Sequence, residues 1–180
     1  MKKVLIITTI CIALVAGIGG IAYNACKKSP LYSLKKAGEA LRDNNPILIE
    51  KYLDTDSLIG KMIDEKLSET PELAGNPFAV GLANMLKPTL VEAAKTSFLS
   101  AVQNKAAEAK EAGQQVSYLK SVKILDKDDT AATVELILYA KNNEELKLVL
   151  AMQKKEDYWQ IKYLINSKEI YSIIEKETKN

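Results

Sequence analysis

Histidine is absent from all 180 residues. That absence excludes a Ser-His-Asp or Cys-His triad, a histidine general base, a histidine metal ligand and a histidine pH switch. Cysteine is nearly absent too: only Cys11 and Cys26 occur. Two thiols cannot build a four-cysteine zinc site or a disulfide-dense scaffold. Aromatic residues make up 6% of the chain, with a single tryptophan. An excess of one charge is missing as well. Lys2 and Lys3 are the only charges before residue 27, and removing them from the 25 basic residues leaves 23 against 23 acidic ones. A nucleic-acid binder needs a clustered basic excess, and none appears. No motif brings Ser and Lys together as a Ser-Lys hydrolase would require. What is present is ordinary globular composition, 47% hydrophobic and 27% charged, which argues against a largely disordered chain.

One long apolar run stands out. Val4 to Tyr23 is uncharged over 20 residues, behind Lys2-Lys3 and ahead of Lys27-Lys28. At about 1.5 Å per residue such a helix spans about 30 Å, the hydrocarbon thickness of a bilayer. Three readings fit: an uncleaved signal anchor, a signal cut after Ala25, and a lipoprotein signal acylated at Cys26. Length favours the first, because a cleaved signal usually has a core of roughly 7–15 residues. Tyr23 and Asn24 fit poorly before an acylated cysteine. Each reading exports the rest of the chain, with residues 1–28 as targeting segment and 29–180 as one extracytoplasmic domain. The leading lysines favour a cytoplasmic N-terminus. Ala13 with Gly17, and Ala16 with Gly20, have the small-xxx-small spacing of packed membrane helices, but an ordinary apolar helix is the preferred reading.

The exported part divides by period. Ser29-Pro30 caps and starts a helix with Leu31, Leu34, Ala37 and Leu41 on one side. Asn44-Asn45-Pro46 ends it and starts a second. Asp54-Thr55-Asp56 starts a third, with Leu58, Ile59, Met62, Ile63 and Leu67 as its apolar stripe. Thr70 to Pro77 reads as a loop. Phe78 to Ala112 is a long helical stretch that Pro88 should break or kink, with Gly113 at its C-cap. From residue 116 the period becomes two. Tyr118–Leu125, Thr133–Ala140, Glu145–Met152 and Asp157–Ile165 are the predicted strands, joined by short polar links. In the last, Trp159, Ile161, Tyr163 and Ile165 are expected on one face. A terminal helix over 167–177 follows. The predicted fold is α+β: helices over 29–112 packed on a four-stranded antiparallel meander over 116–166, then a short C-terminal helix.

Ser29-Pro-Leu-Tyr-Ser-Leu, the helix ending at Arg42-Asp43, and Tyr52-Leu-Asp54 with Leu58 downstream resemble a bacterial family of membrane-anchored proteins. That family is known only as a domain of unknown function, number twenty-nine thirty-nine. There a hydrophobic N-terminal segment leads to a Ser-Pro-Tyr-Tyr-like helix and a Tyr-Val-Asp-like turn. The helices-then-meander order, with Trp159 in the last strand, also looks like the cone-shaped fold of nuclear transport factor two and its relatives. The resemblances imply a membrane-anchored domain of this order, and they bring no catalytic residues.

Three sets of residues are candidates for chemistry. Asp126, Asp128 and Asp129 form an acidic cluster, but without the glycine and distal glutamate of a calcium loop they read as a solvated hairpin turn. Asp54 and Asp56 are either paired carboxylates for acid–base work or a helix N-cap, and the cap is the simpler reading. Tyr118, Tyr139, Trp159 and Tyr163 either line a ligand cavity between sheet and helices or fill the core. No catalytic residue, metal site or cofactor is expected. The expected function is a non-catalytic binding module of the cell envelope, held to the membrane by residues 4–23 and presenting its sheet or a sheet–helix groove to an envelope protein or small ligand. The alternatives are an envelope enzyme using carboxylates in a conical pocket, and an assembly factor acting through its membrane helix.

Overall fold

The computed structural model describes residues 28–70, 76–112, 118–139 and 145–177, and of 105–112, 118 and 173–177 only the backbone. The apolar run 4–23 and Cys26 lie outside these residues. Among the described residues no helix is long and apolar enough to cross a membrane.

The first three helices begin on the caps the sequence offers. In α1 (Pro30–Arg42) the Ser29 hydroxyl accepts from the Tyr32 N–H at 3.1 Å. Asn44 takes φ 48°, a left-handed conformation that Asn tolerates and that stops the helix. Asn45 then caps α2 (Pro46–Tyr52) and Asp54 caps α3 (Thr55–Ser68), each accepting a backbone N–H three residues on. After Asn76, which accepts from the Ala79 N–H, α4 runs unbroken from Pro77 to Ala112. Its 36 residues extend about 54 Å at ~1.5 Å each. Pro88 therefore does not break the helix as its ring and missing N–H predict. The Asn84 carbonyl it leaves without a helical donor belongs to an exposed residue, open to solvent.

The sheet is an antiparallel meander in the order β1 (Tyr118–Lys127), β2 (Ala131–Tyr139), β3 (Glu145–Lys154), β4 (Trp159–Leu164), followed by α5 (Ser167–Glu177). Alternation sorts the faces. Ala132, Val134, Leu136 and Leu138 of β2 and Leu148, Leu150 and Met152 of β3 are buried and meet row by row across the register. They share one core with Leu34, Ala37 and Leu41 of α1, Ile49 of α2, Ile59 of α3, Phe98 and Val102 of α4, and Ile170 of α5. The outer rows are stitched by ion pairs, among them Lys147 with Glu135 at 2.6 Å and Lys120 with Glu145.

In β4 the simple alternation fails. Ala151 pairs with Tyr163 and the next residue, Met152, pairs with Ile161, so Lys162 is an extra residue, a β-bulge. An insertion of one residue reverses which side chains face the core. Trp159, Ile161 and Leu164 are therefore buried, while Tyr163 is half-buried and Ile165 exposed. The expected single face of Trp159, Ile161, Tyr163 and Ile165 is overturned by that one residue. The outer edge of β4 is covered. Leu53 bridges to Ile161, the Asp54 N–H donates to the Ile161 carbonyl at 2.8 Å, and the Gln160 amide donates to the Glu50 carbonyl at 3.0 Å. The opposite edge, β1, carries Lys120, Lys123 and Lys127 and two irregularities, both of which discourage pairing with another strand.

Candidate functional site

The acidic candidates resolve into structural roles. Asp128 accepts from the Thr130 N–H at 2.6 Å, the Ala131 N–H at 2.7 Å and the Thr130 hydroxyl at 3.0 Å. These donors hold its carboxyl below the usual carboxylate range and close the β1–β2 turn. Among the described residues no group of three His, Cys, Asp or Glu is arranged to hold a metal ion.

Asp54 caps α3 and pairs with Lys162, the bulge residue. Burial pushes its carboxyl up, but the Lys162 ammonium and the Ser57 N–H and hydroxyl outweigh burial, so it titrates below the ordinary value of 3.8. Asp56 faces Lys95 at 3.3 Å, and Glu50 meets the same lysine at 2.8 Å. Glu50 foremost, with Asp56 behind it, raises the Lys95 ammonium against the opposing effect of burial. Both carboxylates of the Asp54–Asp56 pair are thus committed to different lysines. A carboxyl lowered by folding contributes stability above its unfolded pKa, and that contribution is lost as pH falls through the folded value. Asp54→Asn keeps a capping side chain and removes the charge. Its unfolding free energy is expected to fall less than that of the parent between pH 5 and roughly pH 2. Equal losses in urea titrations at both pH values would show that the pair contributes nothing.

The described aromatic candidates occupy different surroundings. Trp159 is in the core at 1% exposure, with its indole N–H donating to the Lys28 carbonyl at 2.9 Å. Tyr139 pairs with Glu145, on the row that alternates with the core-facing one, and Tyr163, half-buried, pairs with Ala151 and packs against the core. The Lys61 ammonium sits 3.7 Å from the Tyr163 ring centre, and Lys120 lies 5.5 Å from that of Tyr139. The Tyr118 side chain lies outside the described residues.

The surface that reasoning from the sequence did not single out is the first half of α4. This half runs antiparallel to α3, with Lys95 beside Asp56 and, further back along α4, Lys87 bonded to Asp64 at 2.7 Å. Ala79, Ala83, Lys87 and Val91 recur every four residues and are the partly covered positions, the stripe laid toward the body. Around the helix from them lie Phe78 at 82% exposure, Leu82 at 49%, Met85 at 78%, Leu86 at 48% and Leu90 at 46%. Lys87 is the only charged residue from Pro77 to Val91, and it belongs to the covered stripe. A helix that is apolar all round is normally buried on all sides; this half is covered on one. Its signal in the sequence is fifteen residues with one charge; periodicity identifies the helix but not how many of its faces the fold covers.

No family model, curated protein or solved structure matches this chain.

Proposed function

We propose that the chain is a non-catalytic interaction module of the cell envelope, held to the membrane by residues 4–23, and that its contact surface is the uncovered face of α4. The observation that carries this reading is the run Phe78, Leu82, Met85, Leu86 and Leu90, all large, apolar and solvent-exposed on one helix. Contiguous apolar surface of this kind on a folded domain marks a site of association. The commitment of Asp54 and Asp56 to separate lysines favours it over the carboxylate enzyme. The uncharged stretch Val4–Tyr23 supports the anchored topology.

A photoreactive side chain at position 85 of the full chain in its membrane is expected to give a discrete cross-linked product. The same group at Ser100, exposed on α4 beyond the apolar run, is expected to give none. Failure to cross-link from positions 82, 85 and 86 alike would remove the reading.

A further inference from the structure

The partner of this face follows from its chemistry and its extent. Phe78, Leu82, Met85, Thr89 and Ala93 are spaced by four, three, four and four residues, with Leu86 beside them, so they form one stripe along the helix. From Phe78 to Thr89 the stripe carries no charge; Glu92, exposed and seven residues after Met85, is the first charge in line with it, and Lys87 is turned away from it toward Asp64. A distinct partner is usually selected by complementary charge, for which this stripe offers no pattern. Uncharged surface also meets its own copy without like-charge repulsion.

Extent points the same way. With Phe78 and Met85 mostly exposed and the leucines about half exposed, the stripe offers roughly 600 Å² of apolar surface, the upper end for a monomer. Fully covered, two such stripes bury at most about 1,200 Å² in total, which reaches the ~1,000 Å² a specific interface needs. Surfaces paired about a two-fold axis must be self-complementary, and two copies of one straight stripe satisfy that when the helices run antiparallel. Anchoring both copies in one membrane plane also raises their effective concentration.

The geometry points to a homodimer in which the α4 stripe packs against the α4 stripe of a second copy, antiparallel, with Met85 near the two-fold axis. This rests on the reading of α4 as the contact surface and names its occupant.

The test uses the full chain in phosphatidylcholine vesicles, with Cys11→Ser and Cys26→Ser removing the native thiols. Met85→Cys is expected to oxidise to a product of twice the chain mass at least tenfold faster than Ser100→Cys. Met85→Glu alone and Met85→Lys alone are expected to abolish energy transfer between labelled copies. Mixing those two variants is expected to restore it, because opposite charges then meet across the axis. Three results overturn the homodimer: no Met85→Cys product, equal rates at positions 85 and 100, or no restoration on mixing. If the photoreactive group at 85 then still yields a product of another mass, the contact surface stands and only its occupant changes. If it yields none, the contact surface falls as well.

Discussion

Trp159→Ala is expected to lower the unfolding free energy by about 3–5 kcal/mol, a large part of the ~5–15 kcal/mol that holds a domain folded. The side chain is the largest fully buried one in the domain, so truncation leaves a cavity that the surrounding strands and α1 close only in part. The residue also joins distant parts of the chain. Its backbone N–H donates to the Ser33 hydroxyl of α1 at 2.9 Å, inside the core, and its indole N–H donates to the Lys28 carbonyl where the chain enters α1. Trp159 thus ties the segment next to the proposed anchor to the last strand of the sheet. Trp159→Phe keeps most of the apolar volume and loses only the indole bond, so a smaller loss, on the order of 1–2 kcal/mol, is expected. Because Trp159 is the only tryptophan, unfolding of both variants is followed by far-UV circular dichroism in urea. A loss below about 1 kcal/mol for Trp159→Ala would mean that β4 is not packed against α1 as described.

How much of this was legible beforehand depended on whether the signal was local. Ser29, Asn45 and Asp54 cap helices through bonds to residues three positions away, so each cap could be read from its own neighbourhood. The alternation of Val134, Leu136 and Leu138 is likewise local and was read correctly. The Lys162 bulge was not, because an extra residue is defined only by the strand opposite, and β4 by itself reads as uninterrupted alternation. The same insertion places Lys162 against Asp54, a pairing between residues 108 positions apart. The aromatic residues turn on the same non-local information: composition gathers Tyr139, Trp159 and Tyr163 in the sheet, while register and the bulge put Trp159 in the core, Tyr163 against the edge of the core and Tyr139 on the outer row. α4 shows the limit of periodicity most clearly. Pattern identifies an apolar stripe, but only packing decides which stripe is covered when a helix carries more than one.

That last distinction can be measured within a single helix. Phe98 and Met85 are both large apolar residues of α4, thirteen positions apart and so on different sides of it. Phe98 is 1% exposed and Met85 78% exposed. Phe98→Ala is expected to cost about 3–5 kcal/mol, since it empties a filled position in the core. Met85→Gln, which keeps length and helix propensity, is expected to change stability by less than ~0.5 kcal/mol in dilute, dissociated protein. Urea unfolding of both variants gives the comparison directly. If Met85→Gln costs as much as Phe98→Ala, Met85 belongs to the core and the first half of α4 has no free face to offer. If it costs nothing, the fold of the single chain gives no reason for a methionine there. Its apolarity, like that of Phe78, Leu82 and Leu86, then has to be accounted for by a contact that the lone chain does not contain.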